Sequence, residues 1–285
     1  MSTHKSVAFF GATGGCTAPC LAHCLKAGYT CTAREFYLSS FQDIVTHKSP
    51  TVVRNASKLT TLLETAHGVT PALIAKNLSI IVGNVKDPAV VTQTLFPTVL
   101  NPSDPKGNHA VDIIVSGIGC YPVRKPGHLL PRQEDPTLCR DAVATILAVL
   151  RARPALVKPA LIMISTVGVS RHGRDIPVLL KPVYAMIHEA HEDKKAMEDL
   201  AIQAVTEHPA PIGRYFVVRP TLLTNGRAKG LERVRFDVED GAVAKKAVGW
   251  TIARAEVGRF MFERIVRPFE GGKDEGSGKI FQVTY

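Results

Sequence analysis

The chain lacks the marks of several common protein classes. No apolar run reaches the length of a membrane span, so no membrane partner is expected. The cysteines, Cys16, Cys20, Cys24, Cys31, Cys120 and Cys139, show no C-x-x-C or comparable metal spacing, so no metal site is expected. Aromatic residues make up only 6%, and the lysines and arginines behind the net charge of +10 form no basic run. That argues against a nucleic-acid partner. An anionic cofactor and a generally basic surface account for the charge more simply. No internal repeat or low-complexity segment is present. The first strand is expected near Ser6, which leaves no room for a signal or transit peptide. Cys16, Cys20 and Cys24 recur every fourth residue on an expected helix, as a small-residue stripe packing on a sheet. Free buried thiols fit a reducing compartment, and the expected location is cytoplasmic.

What is present begins at residues 7–16, which read Val-Ala-Phe-Phe-Gly-Ala-Thr-Gly-Gly-Cys. An apolar strand runs into a glycine turn, and an amphipathic stretch follows. The pyrophosphate of a dinucleotide needs that geometry. Gly11 permits the tight turn, and Gly14 and Gly15 remove side chains where phosphate approaches backbone. The following helix offers unpaired N–H groups and a positive dipole end. Gly11, Thr13, Gly14, Gly15 and Cys16 are therefore candidate cofactor-binding residues, with Thr17 where a third glycine often sits.

Strand and helix patterns then alternate. Strands are expected at residues 7–10, 29–33, 80–82, 111–115, 161–164 and 215–218. Helices are expected at 15–27, 88–100, 137–151 and 187–206. Such alternation implies a parallel sheet, whose ligands sit outside the carboxyl ends of the strands. With 285 residues, 45% of them hydrophobic, the chain suits one α/β domain of the Rossmann type, a doubly wound parallel sheet. A small irregular region is expected to follow from about residue 221.

The assembled pieces resemble the atypical short-chain dehydrogenase/reductase superfamily, especially its NmrA-like branch. They are Gly11-Ala-Thr-Gly14-Gly15, Val53-Arg54-Asn55-x-Ser57-Lys58-Leu59, Gly83-Asn84-Val85-x-Asp87 and Asp193-Lys194-x-x-Met197-Glu198. Further pieces are Arg219-Pro220, Ile252-x-Arg254-x-x-Val257-x-Arg259-Phe260 and Gly278-Lys279-x-x-x-Val283-Thr284-Tyr285. The resemblance implies an NADP cofactor. It places the 2′-phosphate on an arginine after the second strand: Arg54 is favoured, with Lys58 assisting, and Arg34 is the alternative. It sets Asn84 and Val85 beside the adenine, and Gly117 and Ile118 beside the nicotinamide ribose. For Asn84 a plain turn role is equally open. One stretch departs from the pattern. Residues 34–51 separate the second strand from the Val53 motif, either as a surface loop or as translated intron sequence.

The resemblance also implies a Tyr-x-x-x-Lys pair. Aligned on Lys194, the tyrosine position holds Ala190, so the usual acid is absent. Lys194 is the expected cofactor-holding lysine. Ser165 and Thr166 stand in the place of the substrate-orienting serine. His191 is a candidate proton donor, and His172 a comparable one. The expected activity is NADP-dependent reduction of a small organic carbonyl or conjugated alkene. Two alternatives stay open: a non-catalytic NADP sensor that binds a partner protein, and a non-redox isomerase or cyclase.

Overall fold

A computed structural model describes residues 5–36, 56–97, 109–120, 122–123, 127, 132–170, 172–173, 175–239, 247–273 and 275–285. The chain begins as expected. Strand β1 (Ser6–Phe10) is buried along its whole length, as befits the middle of a sheet covered on both faces. Helix α1 (Thr17–Lys26) follows the glycine turn, and β2 (Thr30–Phe36) returns beside β1. Helices α2 (Ala56–Thr65) and α3 (Pro71–Asn77) lead into β3 (Leu78–Gly83). Thr70 caps α3 by accepting from Leu73 N, with Pro71 in the first turn. Asp87 caps α4 (Pro88–Leu95) in the same way, accepting from Ala89 N.

The second half adds β4 (Ile113–Ser116), a small ribbon of β5 (Pro122–Val123) and β6 (Arg132–Gln133), α5 (Leu138–Ala152) and β7 (Ala160–Ile164). A short 3-10 turn leads into α6 (Lys181–Met186) and then the long α7 (His188–Ala204). Strands β8 (Arg214–Pro220), β9 (Leu222–Thr224), β10 (Arg235–Glu239) and β11 (Thr251–Ala253) precede α8 (Arg254–Met261) and the final β12 (Ser277–Thr284).

The main sheet has the order β10-β12-β8-β7-β4-β1-β2-β3. Every pairing in it is parallel except β10 with β12. One apolar layer joins α1 and α8 to the sheet, and the other joins α4, α5 and α7 to it. The cysteine stripe lies in the first layer. Cys16, Cys20 and Cys24 are buried where α8 crosses α1, and the described cysteines are free thiols.

Helices α2, α3 and α6 are not among those expected, and several boundaries differ from expectation. Strand β2 runs on to Phe36, so Arg34 belongs to the strand and pairs in register with Phe10 and Ile81. Helix α4 ends at Leu95, because Phe96 leaves helical geometry. The region from residue 221 is not simply irregular, since β10 and β12 complete the main sheet. Its short strands lack the strand–helix alternation that made the first half legible. Arg54, and the part of the 34–51 stretch beyond Phe36, lie outside the described residues.

Candidate cofactor and active site

The glycine turn closes tightly over the ends of β1 and β4. Gly11 has φ +73°, a conformation most side chains avoid, and Gly14 N donates to Gly11 O at 2.9 Å. Gly117 N donates to Phe10 O. A Cβ on Gly117 would lie 1.8 Å from Thr17 Oγ1, so a side chain there would displace that hydroxyl. Around this turn several buried polar groups have no partner among the described residues: Thr17 Oγ1, Ser116 Oγ, Ser165 Oγ and the three guanidinium nitrogens of Arg34.

Arg34 is 1% exposed. Its guanidinium lies 5.9 Å from the Phe10 ring centroid, with Nη2 next to Gly83 at the end of β3. Burial pushes its pKa down to about 10, with Asp87 opposing. Leaving one charge of a buried pair unpaired costs roughly 3–5 kcal/mol. A chain that keeps such a group at the carboxyl edge of its sheet has a place for an anion. The orphaned hydroxyls add hydrogen-bonding capacity in the same region. The residues present thus fit an anionic, hydroxyl-bearing ligand that approaches the backbone closely, as a dinucleotide does.

Lys194 bridges two strand ends. Its Nζ donates to Ile118 O and to Ile164 O, both at 2.8 Å. Ser165 directly follows the second of these, and its N–H donates to Val218 O. Lys194, Ser165, Thr166, Gly117 and Ile118 therefore share one end of β4 and β7. Thr166 Oγ1 turns to Val167 O at 3.0 Å, whereas Ser165 Oγ has no partner among the described residues.

His191 is placed differently from the expectation of a free proton donor. Nδ1 faces Ile187 O at 2.9 Å and Nε2 faces Val167 O at 3.2 Å. Both ring nitrogens face backbone carbonyls, and a neutral ring donates to one of them. The ring also packs against Tyr184 at 5.2 Å, so His191 holds the strand-to-loop junction. Tyr184 is buried, and that burial, with Asp175 adding to it, pushes its pKa up to about 12. A phenol so shifted is a poor proton donor at neutral pH. His172 lines a separate cavity of about 290 Å³ with Arg219, Glu239 and Tyr215.

The remaining expected residues fall around the turn. Thr13 is half-buried and Gly15 exposed. Burial pushes the Cys16 thiol up to about 12, so that residue offers backbone and not a nucleophile. Asn84 spends its side chain on its own turn, accepting from Lys86 N at 2.9 Å, and Val85 is fully buried in the core. Lys58 is exposed on α2.

Two contacts went unread in the sequence. Asp193 caps α5 by accepting from Cys139 N and Arg140 N, both at 2.9 Å. Glu198 and Arg219, noted as parts of separate motifs, form one buried pair. Both acidic residues sit next to residues already singled out, Lys194 and Met197, but their partners are distant in sequence.

The parallel sheet, with the glycine turn at its carboxyl edge, is that of a Rossmann-type α/β fold. Anaerobillin reductase ChuY from Escherichia coli O157:H7 shares this fold with a TM-score of 0.59 at 15% identity, covering 98% of this chain and 97% of its own. No protein-family model matches the chain. It is 39% identical to reductase pytE of Aspergillus terreus over 100% of its length and 99% of the relative's. It is 32% identical to oxidase pynE of Aspergillus niger, over 92% of each. The chain belongs to the family that these two proteins represent. No described helix is long and apolar enough to cross a membrane.

Proposed function

We propose that this protein is an NADP-dependent reductase of the NmrA-like branch, acting on a small organic carbonyl or conjugated alkene in the cytoplasm. The observation that carries the reading is the placement of Lys194 Nζ on Ile118 O and Ile164 O beside Ser165, whose hydroxyl has no partner among the described residues. Gly11, Thr13, Gly14, Gly15 and Cys16 would receive the pyrophosphate, chiefly through backbone. Arg34, whose three guanidinium nitrogens have no partner among the described residues, would read the 2′-phosphate, with Arg54, outside the described residues, as the alternative. Lys194, Gly117 and Ile118 would hold the nicotinamide ribose. The relatives named reductase and oxidase support redox chemistry over isomerisation.

When bound, the nicotinamide supplies the hydride. Ser165 donates a hydrogen bond to the substrate oxygen and fixes its orientation, and the Lys194 cation stabilises negative charge as it develops there. With Ala190 at the tyrosine position and the ring of His191 turned to the backbone carbonyls of Ile187 and Val167, the proton would reach the reduced substrate from water. Placement of the reacting carbon supplies most of the acceleration. The same missing acid favours a second reading, a dinucleotide sensor that binds NADP(H) and a partner protein without turnover.

The test is NADPH oxidation against a panel of aldehydes, ketones and conjugated enones, run beside an NADPH binding titration. Turnover that falls in Ser165→Ala and Lys194→Met supports the reductase. Tight binding with no turnover on any member of the panel supports the sensor. No binding of either nicotinamide dinucleotide overturns both.

A further inference from the structure

We infer that Glu198, Arg219 and Glu239 form a positioning unit that holds Lys194 on its two carbonyl oxygens, an inference that rests on the reading of Lys194 given above. Glu198 lies one helical turn after Lys194 on α7. Its carboxylate takes a two-pronged grip from Arg219, with Nε at 3.0 Å and Nη2 at 2.5 Å. Arg219 stands near the end of β8, next to Val218, whose carbonyl receives Ser165 N. Helix α7 is therefore pinned to the sheet at two successive turns. Lys194 pins it to β4 and β7, and Glu198 pins it to β8.

The guanidinium is fixed from a third side. Arg219 Nη1 donates to Glu239 Oε2 at 3.0 Å, and the same oxygen accepts from Ser170 Oγ at 2.6 Å. Ser170 belongs to the loop that follows Ser165 and Thr166. Gly168 N and Ser170 N in that loop donate to Asp175 Oδ2. One chain of contacts thus joins β10, β8, α7 and the loop beside the reacting site.

Stability alone does not account for it. Two carboxylates and one guanidinium, with side chains 3%, 9% and 4% exposed, are costly to desolvate, and a buried ion pair commonly gives no net gain over apolar packing. The geometry it provides is specific. The rigid fork of arginine fixes both distance and angle, and a rotation of α7 by a fraction of a turn would lift Lys194 Nζ from its carbonyls.

A positioning role acts through Lys194 and a merely structural role does not, so a double-mutant cycle separates them. NADPH affinity is measured by fluorescence titration for the wild type, Glu198→Gln, Arg219→Lys, Lys194→Met and the two corresponding double variants. Thermal melts confirm that each is folded. The expected result is a loss of about tenfold for Glu198→Gln and for Arg219→Lys when Lys194 is present, and less than about twofold in the Lys194→Met background. Equal losses in both backgrounds, or no loss in either single variant, overturn the inference and leave the reading of Lys194 standing. Wild-type affinity in Lys194→Met overturns both. Should Glu198→Gln fail to fold, Arg219→Lys and Glu239→Gln carry the same comparison, because each keeps hydrogen-bonding capacity at its position.

Discussion

Polar side chains at the carboxyl edge of the sheet fall into two contrasting groups. Around β1, β2 and β4 they lack partners: Arg34, Thr17 and Ser116 are buried with none among the described residues. Around α7 and β8 they are paired: Asp193 with the start of α5, Lys194 with two carbonyls, and Glu198 and Glu239 with Arg219. The first group reads as a cradle and the second as the frame that holds it in shape. Burial alone cannot distinguish them, since Arg34 and Arg219 are 1% and 3% exposed. Their partners do.

The sharpest way to break this contrast is to remove each arginine from the protein free of ligand. Arg219→Ala takes the paired cation from the buried Glu198 carboxylate and should lower the unfolding free energy by roughly 3–5 kcal/mol. Arg34→Ala removes a buried cation that has no hydrogen-bond partner among the described residues, and should lower the unfolding free energy by clearly less than Arg219→Ala does. Denaturant titrations of the two variants measure the difference directly. Similar destabilisation by both would erase the distinction between cradle and frame.

Gly14→Val should be the next largest effect, and it falls on binding. A Cβ there already lies 3.0 Å from Gly11 O and 3.2 Å from Thr17 Oγ1, and a branched side chain fills the space through which phosphate approaches backbone. Affinity for NADPH should fall by about a hundredfold or more, near 3 kcal/mol, while overpacking costs about 1–3 kcal/mol of stability. Calorimetry that returns wild-type affinity would remove the phosphate-binding role from the turn.

Ser165→Ala should be smaller and should separate chemistry from binding. It should lower turnover by roughly tenfold to a hundredfold, because a donor aimed at developing charge is lost. Cofactor affinity should hold. Loss of affinity without loss of turnover would put Ser165 on the cofactor instead.

The smallest effect belongs to the frame. Tyr184 has its pKa raised to about 12 by burial, with Asp175 contributing, against about 10 for an unfolded tyrosine. The native state therefore holds the phenolic proton more tightly. The resulting stability is complete below pH 10 and is lost as pH rises through 12. Wild-type protein should lose melting temperature across that window more steeply than Tyr184→Phe does. At pH 7 the substitution should leave turnover nearly intact, and a severe loss there would return Tyr184 to the role of proton donor.

The cradle and the frame were not equally legible in the sequence. The glycine turn was plain, because an apolar run, a tight turn and a helix start are local features read from consecutive residues. The alternation of strands and helices through β8 was plain for the same reason. Lys194 and Ser165 could be placed only through family spacing. Arg34 looked like the edge of an inserted stretch, since nothing local reveals that β2 continues to Phe36 or that the guanidinium has no partner among the described residues. The Glu198–Arg219 pair spans two motifs twenty-one residues apart, and each motif reads separately until the sheet brings them together. Strands β10 and β12 escaped notice because one short segment must cross the chain to pair with the other.

The central claim is that Arg34, the buried cation at the end of β2, receives a phosphate of the cofactor. The direct measurement is calorimetric titration of NADPH and of NADH into the wild type and Arg34→Ala. The account predicts that the wild type prefers NADPH by roughly tenfold to a hundredfold, the worth of a charge-assisted contact of about 1.5–3 kcal/mol. It predicts that Arg34→Ala binds both dinucleotides alike, with its NADH affinity unchanged. Equal wild-type affinity for the two, or a preference for NADPH that survives in Arg34→Ala, would contradict it.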